Sequence, residues 1–237
     1  MTQTTTIAPM PRSYASHVDQ NNILLRYKTL RLTGLQQDPQ AFSSTYEKEV
    51  EFSDEKWVAR ITNPEAKTFI ALTHNINQTS SASTIADSPV DELLSSDWVG
   101  TVTCLGPKIL LTNSVRSCAP WKVFVDPDAD REQGDGETKI TLYMLAGMLV
   151  LRCERRRGHG RRLIEHAVKD VCGEAEKASV DRVVLLALVD ANNGAACATY
   201  KCCGFEVWDE EVLLESRDGV ERSIAMALDI KLKGECG

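Results

Sequence analysis

Tyr143-Met144-Leu145-Ala146-Gly147-Met148-Leu149-Val150-Leu151-Arg152-Cys153-Glu154-Arg155-Arg156-Arg157-Gly158-His159-Gly160 is an apolar run that ends in a basic, glycine-containing turn. A helical pattern opens at Arg161. Leu163, Ile164, Ala167, Val168 and Val171 share one face, while Arg161, Arg162, Glu165, Lys169 and Asp170 fill the other. The run from Thr141 to Leu151 is too continuously apolar to alternate, which predicts a strand buried on both faces. Residues 182–189 read as a second strand of the same kind. Strand, helix and strand together predict a right-handed crossover, with the basic turn at the carboxyl end of the first strand.

Such a turn is suited to a phosphate. Gly158 and Gly160 lack Cβ, so the backbone can turn tightly and approach a ligand. The first N–H groups of the helix have no intrahelical acceptor and sit at its positive end. Arginine side chains add charge-assisted bonds. A dinucleotide fingerprint of the Gly-x-Gly-x-x-Gly type is excluded by Leu163, and the Gly-Lys-Ser/Thr of a P-loop is absent.

A second segment, Asn193-Gly194-Ala195-Ala196-Cys197-Ala198-Thr199-Tyr200-Lys201-Cys202-Cys203-Gly204-Phe205, follows the second strand. It reads as a short helix capped by Asn193 or Asn192 and stopped by Gly204. Its alanines allow another backbone or a thin ligand to lie close.

Together the two segments resemble the GNAT superfamily of N-acetyltransferases. Arg155-x-x-Gly158-x-Gly160 matches that family's acetyl-CoA pyrophosphate turn. Asn193-x-x-Ala196-x-x-Thr199-Tyr200-x-x-x-Gly204-Phe205 matches its Asn-x-x-Ala-x-x-Leu-Tyr-x-x-x-Gly-Phe segment. The resemblance runs from about residue 19 to residue 228. Arg152 stands where the family often has Pro, and Thr199 where it usually has Leu.

The resemblance implies an α/β (α+β) fold: a central mixed, mostly antiparallel sheet with two splayed parallel strands, flanked by helices. It implies acetyl-CoA as acetyl donor, with the pantetheine arm paired to backbone near Met148, Leu149 and Val150. The pyrophosphate would lie on Arg155, Arg156, Arg157, Gly158, His159, Gly160 and Arg161, with the His159 side chain facing solvent. Asn193 would bind CoA or cap its helix. Tyr200 is the expected general acid for the departing thiolate, because a phenol donates without prior ionisation. Its alternative is packing beside Phe205. The implied activity is direct transfer of acetyl to a primary amine of a small molecule or peptide.

Residues 19–37 and about 53–61 read as helices. The block 30–61 resembles the first two helices and joining loop of many family members, a loop that overhangs the acceptor site in that family. Phe42 is a candidate wall of the acceptor pocket and Glu47 a candidate acceptor ligand. Glu47, Glu49 and Asp190 are candidate bases, each also readable as a plain surface carboxylate.

A length of 237 residues is long for one such domain, and the excess falls in two places. Residues 1–12 read as a flexible tail and residues 13–237 as a single domain. Insertions are expected near residues 74–96, as an exposed mobile segment, and near residues 106–137, whose end is acidic. Trp121 to Val125 could be an added strand or a segment packed on the domain.

Eight cysteines and four histidines show no metal-ligand spacing, so no metal is expected. Several cysteines fall in predicted elements, as small buried hydrophobes do. Reduced thiols and the lack of a signal-peptide pattern suggest a cytoplasmic location, with a nuclear one not excluded. No apolar run reaches the roughly 18 residues of a membrane span.

Arg152, Arg155, Arg156, Arg157, Arg161 and Arg162 raise nucleic-acid binding as an alternative. It is the weaker reading, because the net charge is −7 and no aromatic residue interleaves the patch. A catalytically silent acyl-CoA-binding module is a further alternative. The chain is expected to act as a monomer or homodimer.

Overall fold

The computed structural model describes residues 3–75, 88–112, 119–125, 138–180, 182–216 and 219–232. Among these, the strands are β1 (Gln3–Pro9), β2 (Ala66–Asn75), β3 (Asp97–Thr112), β4 (Thr138–Val150), β5 (Arg182–Asp190), β6 (Glu206–Ser216) and β7 (Gly219–Lys231). The helices are α1 (His17–Gln37), α2 (Tyr46–Val50), α3 (Asp54–Ile61), α4 (Pro89–Ser95), α5 (Lys122–Val125), α6 (His159–Lys177) and α7 (Gly194–Cys202). The hydrogen-bonded strand order is β1-β2-β3-β4-β5-β7-β6. The sheet is mostly antiparallel, β4 and β5 are its parallel pair, and helices flank it. This is the α/β (α+β) architecture expected from the sequence. The parallel register covers Thr141↔Val183 to Leu145↔Ala187, although β4 runs on to Val150 and β5 to Asp190.

The chain forms two compact units. The first holds residues 1–103 and 147–163. Ser16 caps α1 by accepting the Val18 and Asp19 N–H groups, and Ser53 caps α3 through the Lys56 N–H. Ile23, Tyr27 and Leu30 of α1 pack with Trp57, Ile70 and Leu72 in its core. The second unit holds residues 104–146 and 164–237. Its core joins Ile140 and Leu142 of β4 to Val184 and Leu186 of β5 and Ala225 of β7.

Three expectations need correction. Residues 3–9, read as part of a flexible tail, form β1, paired antiparallel with β2 from Gln3↔Asn75 to Pro9↔Phe69. Threonine is a good strand former once a partner edge exists, and Ala8 and Met10 reach the core of the first unit. Second, the segment 74–96 is not all exposed insertion. β2 continues to Asn75, and α4 opens with a Ser88 cap and Pro89 and buries Leu93 completely. Its middle, residues 76–87, lies outside the described residues. Third, β3 extends to Thr112, into the stretch 106–137 expected as insertion. Trp121 is buried in the second unit's core beside the helical turn α5, which replaces the strand weighed for this segment. The acidic residues 126–137 lie outside the described residues. No described helix is long and apolar enough to cross a membrane.

Candidate functional site

The turn between β4 and α6 lies in the first unit. Gly158 has φ +81°, a left-handed conformation open to glycine at little cost, and Arg156 has φ +64°. The Gly158 carbonyl accepts the Arg162 N–H at 3.1 Å, the first helical bond of α6. Gly158 thus sits at the cap position with no side chain to offer. The N–H groups of the first helical turn, His159, Gly160 and Arg161, have no intrahelical acceptor. Helix α6 runs 19 residues, so its full N-terminal dipole stands behind them.

The strand leading into the turn is held closely. A Cβ on Gly100 would lie 2.8 Å from the Leu149 carbonyl oxygen and 3.2 Å from a Val150 methyl, so only glycine lets β3 pass here. Leu149 is buried in the first unit's core, while Met148 and Val150 are half-buried. The Leu151 N–H donates to Val99 at 2.9 Å.

The arginines are not equivalent. Arg155 donates through Nε to the Val150 carbonyl at 3.0 Å and pairs with Asp38. Arg152 pairs with the same carboxylate at 3.0 Å. Partial burial would raise the Asp38 carboxyl, but hydrogen bonds from Arg155 and Arg152 outweigh it and hold it below its ordinary value. Arg157 donates to Glu154 at 2.7 Å. Arg156 is exposed and has no hydrogen-bond or ion-pair partner among the described residues. Arg161 is exposed on the first turn of α6.

His159 departs from expectation. Instead of facing solvent it is 3% exposed, with Nδ1 3.3 Å from the Thr5 hydroxyl and Nε2 3.7 Å from Glu154. Strand β1 supplies this contact, and β1 itself was not expected. Burial pushes the His159 imidazole below its ordinary value; Glu154 opposes this, and Arg162 and Arg157 add to it.

In the second unit, Asn193 caps α7: its carboxamide oxygen accepts the Ala196 N–H at 3.0 Å. The cap reading of Asn193 is the one the geometry fills. Gly204, φ +88°, ends the segment. Tyr200 is 5% exposed, and its ring meets Phe205 edge-on at 5.1 Å. Burial raises its pKa, with Cys203 adding, so the phenol stays protonated at neutral pH.

Residues 121–205 match the acetyltransferase (GNAT) family. The structure is similar over its whole length to Arabidopsis thaliana NAA60 in complex with acetyl-CoA, at 16% identity and TM-score 0.52, covering 96% of this chain and 99% of that one. It is also similar to a protein of Acinetobacter baylyi ADP1 classed as an acetyltransferase, at 11% identity and TM-score 0.54, covering 97% and 95%. At these identities the likeness is one of fold. No curated protein sequence matches the chain. The chain has the GNAT fold and carries a GNAT-family segment.

Both departures from the GNAT motifs have a local reason. Arg152, at the position where the family often has Pro, donates its backbone N–H to Gln37 at 3.0 Å, which a proline could not do. Thr199, in place of the usual Leu, returns its hydroxyl to the Ala195 carbonyl at 2.8 Å and so needs no other partner.

The segment joining α1 to α3 corrects one candidate outright. Glu49 is not a surface carboxylate: it is fully buried and takes Arg31 at 2.8 Å and Arg60 at 2.7 Å. Burial alone would raise its pKa, yet hydrogen bonds and charge from the two arginines bring it down to about 2. Both of its oxygens already accept from the arginines, which makes it a poor base for an amine. Phe42 is half-buried, its ring 4.6 Å from the Arg31 guanidinium, and it packs on the first unit's core. Glu47 is exposed in the first turn of α2. Asp190 accepts the Asn192 N–H at 2.8 Å. Sequence reasoning missed Arg31 and Arg60 as partners. The only trace is their place on neighbouring predicted helices, the kind of charge that usually faces solvent. Among the described residues no group of His, Cys, Asp and Glu is placed to hold a metal ion. Of the six described cysteines only Cys104 is buried, so the thiols are more exposed than expected.

Proposed function

We propose that the chain is an N-acetyltransferase that moves acetyl from acetyl-CoA to a primary amine of a small molecule or peptide. The observation that carries this reading is the start of the 19-residue helix α6 at Gly158, in a left-handed turn with no side chain of its own at the cap position, a helix N-terminus suited to a pyrophosphate. The GNAT-family match and the fold shared with an acetyl-CoA complex support it. Acetyl-CoA supplies the activated thioester. The backbone of Met148, Leu149 and Val150 is assigned to its pantetheine arm and to the acetyl oxygen, where an N–H offsets developing negative charge. Attack by the neutral amine nitrogen forms the amide, breaks the carbon–sulfur bond and releases one N–H proton, which balances the proton given to the leaving sulfur. Tyr200, kept protonated by burial, is the assigned donor to the thiolate. Glu47 is the exposed carboxylate assigned to the acceptor, and Phe42 is assigned as pocket wall.

Gly160→Asp places an anion where the pyrophosphate is assigned. A folded Gly160→Asp variant that binds acetyl-CoA as tightly as wild type sinks the assignment.

A second reading is a silent acyl-CoA-binding module. It is favoured by the close packing of Tyr200 on Phe205, which leaves a purely structural role for that residue. Thiol release across a panel of amines, polyamines, amino acids and peptide N-termini, run beside a binding titration, separates the two.

A further inference from the structure

The pyrophosphate turn contains a carboxylate, which is the wrong charge for its proposed ligand. Glu154 closes the 3-10 turn Arg152–Glu154, and its side chain is 17% exposed. Two donors converge on one of its oxygens. Arg157 is bonded at 2.7 Å, while His159 Nε2 stands at 3.7 Å, beyond hydrogen-bond reach. That Nε2 is buried and has no hydrogen-bond partner. A buried, unpaired polar atom is costly unless another state of the site uses it.

The tautomer follows from the surroundings. Burial keeps the ring neutral near pH 7. A proton on Nδ1 would turn the Nε2 lone pair toward the Glu154 carboxylate, which is repulsive. A proton on Nε2 turns an N–H toward it and leaves Nδ1 to accept from the Thr5 hydroxyl at 3.3 Å. The groups around the ring are thus Thr5 from β1, Glu154 and Arg157 from the turn, and Arg162 from α6, whose NH1 donates to the Arg157 carbonyl at 3.0 Å.

We propose that Glu154 holds Arg157 in reserve for the pyrophosphate of acetyl-CoA, and that His159, fixed by Thr5, takes over Glu154 when Arg157 is released. The inference rests on the acetyl-CoA reading above and adds residues to it. A diphosphate offers Arg157 more charge and more acceptor oxygens than one carboxylate does. Once Arg157 leaves, Glu154 would stand unpaired beside a second anion. The waiting Nε2–H removes that penalty, because the carboxylate needs to move less than 1 Å to reach a normal bond length of about 3 Å. His159 is then a positioning residue, and β1 becomes part of the acetyl-CoA site through Thr5.

The test is a double-mutant cycle on acetyl-CoA affinity by titration calorimetry at pH 7.5, with folding checked by circular dichroism. His159→Phe keeps a buried ring and removes the donor. It is expected to weaken binding about tenfold, the scale of one hydrogen bond to a charged group. Glu154→Gln frees Arg157 and removes the anion, so affinity is expected to rise severalfold. In the Glu154→Gln background the His159→Phe penalty should fall below twofold. Thr5→Val should weaken binding about threefold in wild type and hardly at all beside Glu154→Gln. It carries the same cycle if His159→Phe does not fold. An equal His159→Phe penalty with and without Glu154, or weaker binding in Glu154→Gln, overturns the inference while leaving the acetyl-CoA reading intact. Failure of the wild-type chain to bind acetyl-CoA overturns both.

Discussion

Glu49→Gln is the perturbation whose size the structure fixes best. The carboxylate lies fully buried between two guanidiniums, at 2.8 Å from Arg31 and 2.7 Å from Arg60. The glutamine keeps the volume but carries no charge and only one acceptor oxygen. Removing one partner of a buried ionic cluster typically costs about 3–5 kcal/mol. Linkage gives a second estimate. The Glu49 pKa falls from 4.5 to about 2 on folding. At about 1.4 kcal/mol per unit this is about 3 kcal/mol of stability at neutral pH. The folded pKa is the depressed one, so the contribution is complete above pH 4.5 and fades as pH falls toward 2. By pH 4 about 1 kcal/mol of it should be gone, and by pH 3 about 2 kcal/mol. Urea unfolding of both proteins between pH 7 and pH 3 measures it. Trp57 is a local fluorescence probe, since Arg60 lies 5.2 Å from its ring. Expected are a loss of about 3 kcal/mol in Glu49→Gln at pH 7 and a gap that narrows with acid. A loss under about 1 kcal/mol at pH 7, or a gap unchanged at pH 4, would refute the assignment of Glu49 as the paired, charged centre of this cluster.

Tyr200→Phe keeps the ring and removes the proton donor. Turnover of an active acceptor, read by thiol release, should drop about tenfold to a thousandfold with little change in acetyl-CoA affinity; equal turnover with chemistry rate-limiting would leave Tyr200 as a packing residue. Gly100→Ala drives a Cβ to 2.8 Å from the Leu149 carbonyl and 3.3 Å from Leu163, so something must shift. Overpacking of this kind costs about 1–3 kcal/mol, and a thermal midpoint lowered by several degrees with weakened acetyl-CoA binding is expected. An unchanged midpoint would show that β3 and β4 are less tightly apposed than described.

The elements legible in the sequence are those whose reasons are local. The apolar face of α6 repeats at helical spacing, and the turn before it needs glycine at position 158, where φ is +81°. Helix α7 begins at an asparagine whose own side chain caps it and ends at Gly204, all within one short segment. The continuous apolar runs of β4 and β5 announce strands covered on both faces. The features that only tertiary structure decided join residues far apart in the chain. A threonine-rich N-terminal stretch has no reason to be a strand until β2 offers an edge, some 60 residues on. Glu49 reads as one more surface carboxylate on a polar loop until Arg31 and Arg60, from two helices, close over it. His159 reads as a solvent-facing residue between two glycines until Thr5, 154 positions earlier, meets its ring. Local propensity and spacing set turns, caps and periodicity. Burial of a polar side chain depends on which distant segment arrives to pair with it, and that partner is chosen by the packing of the whole unit.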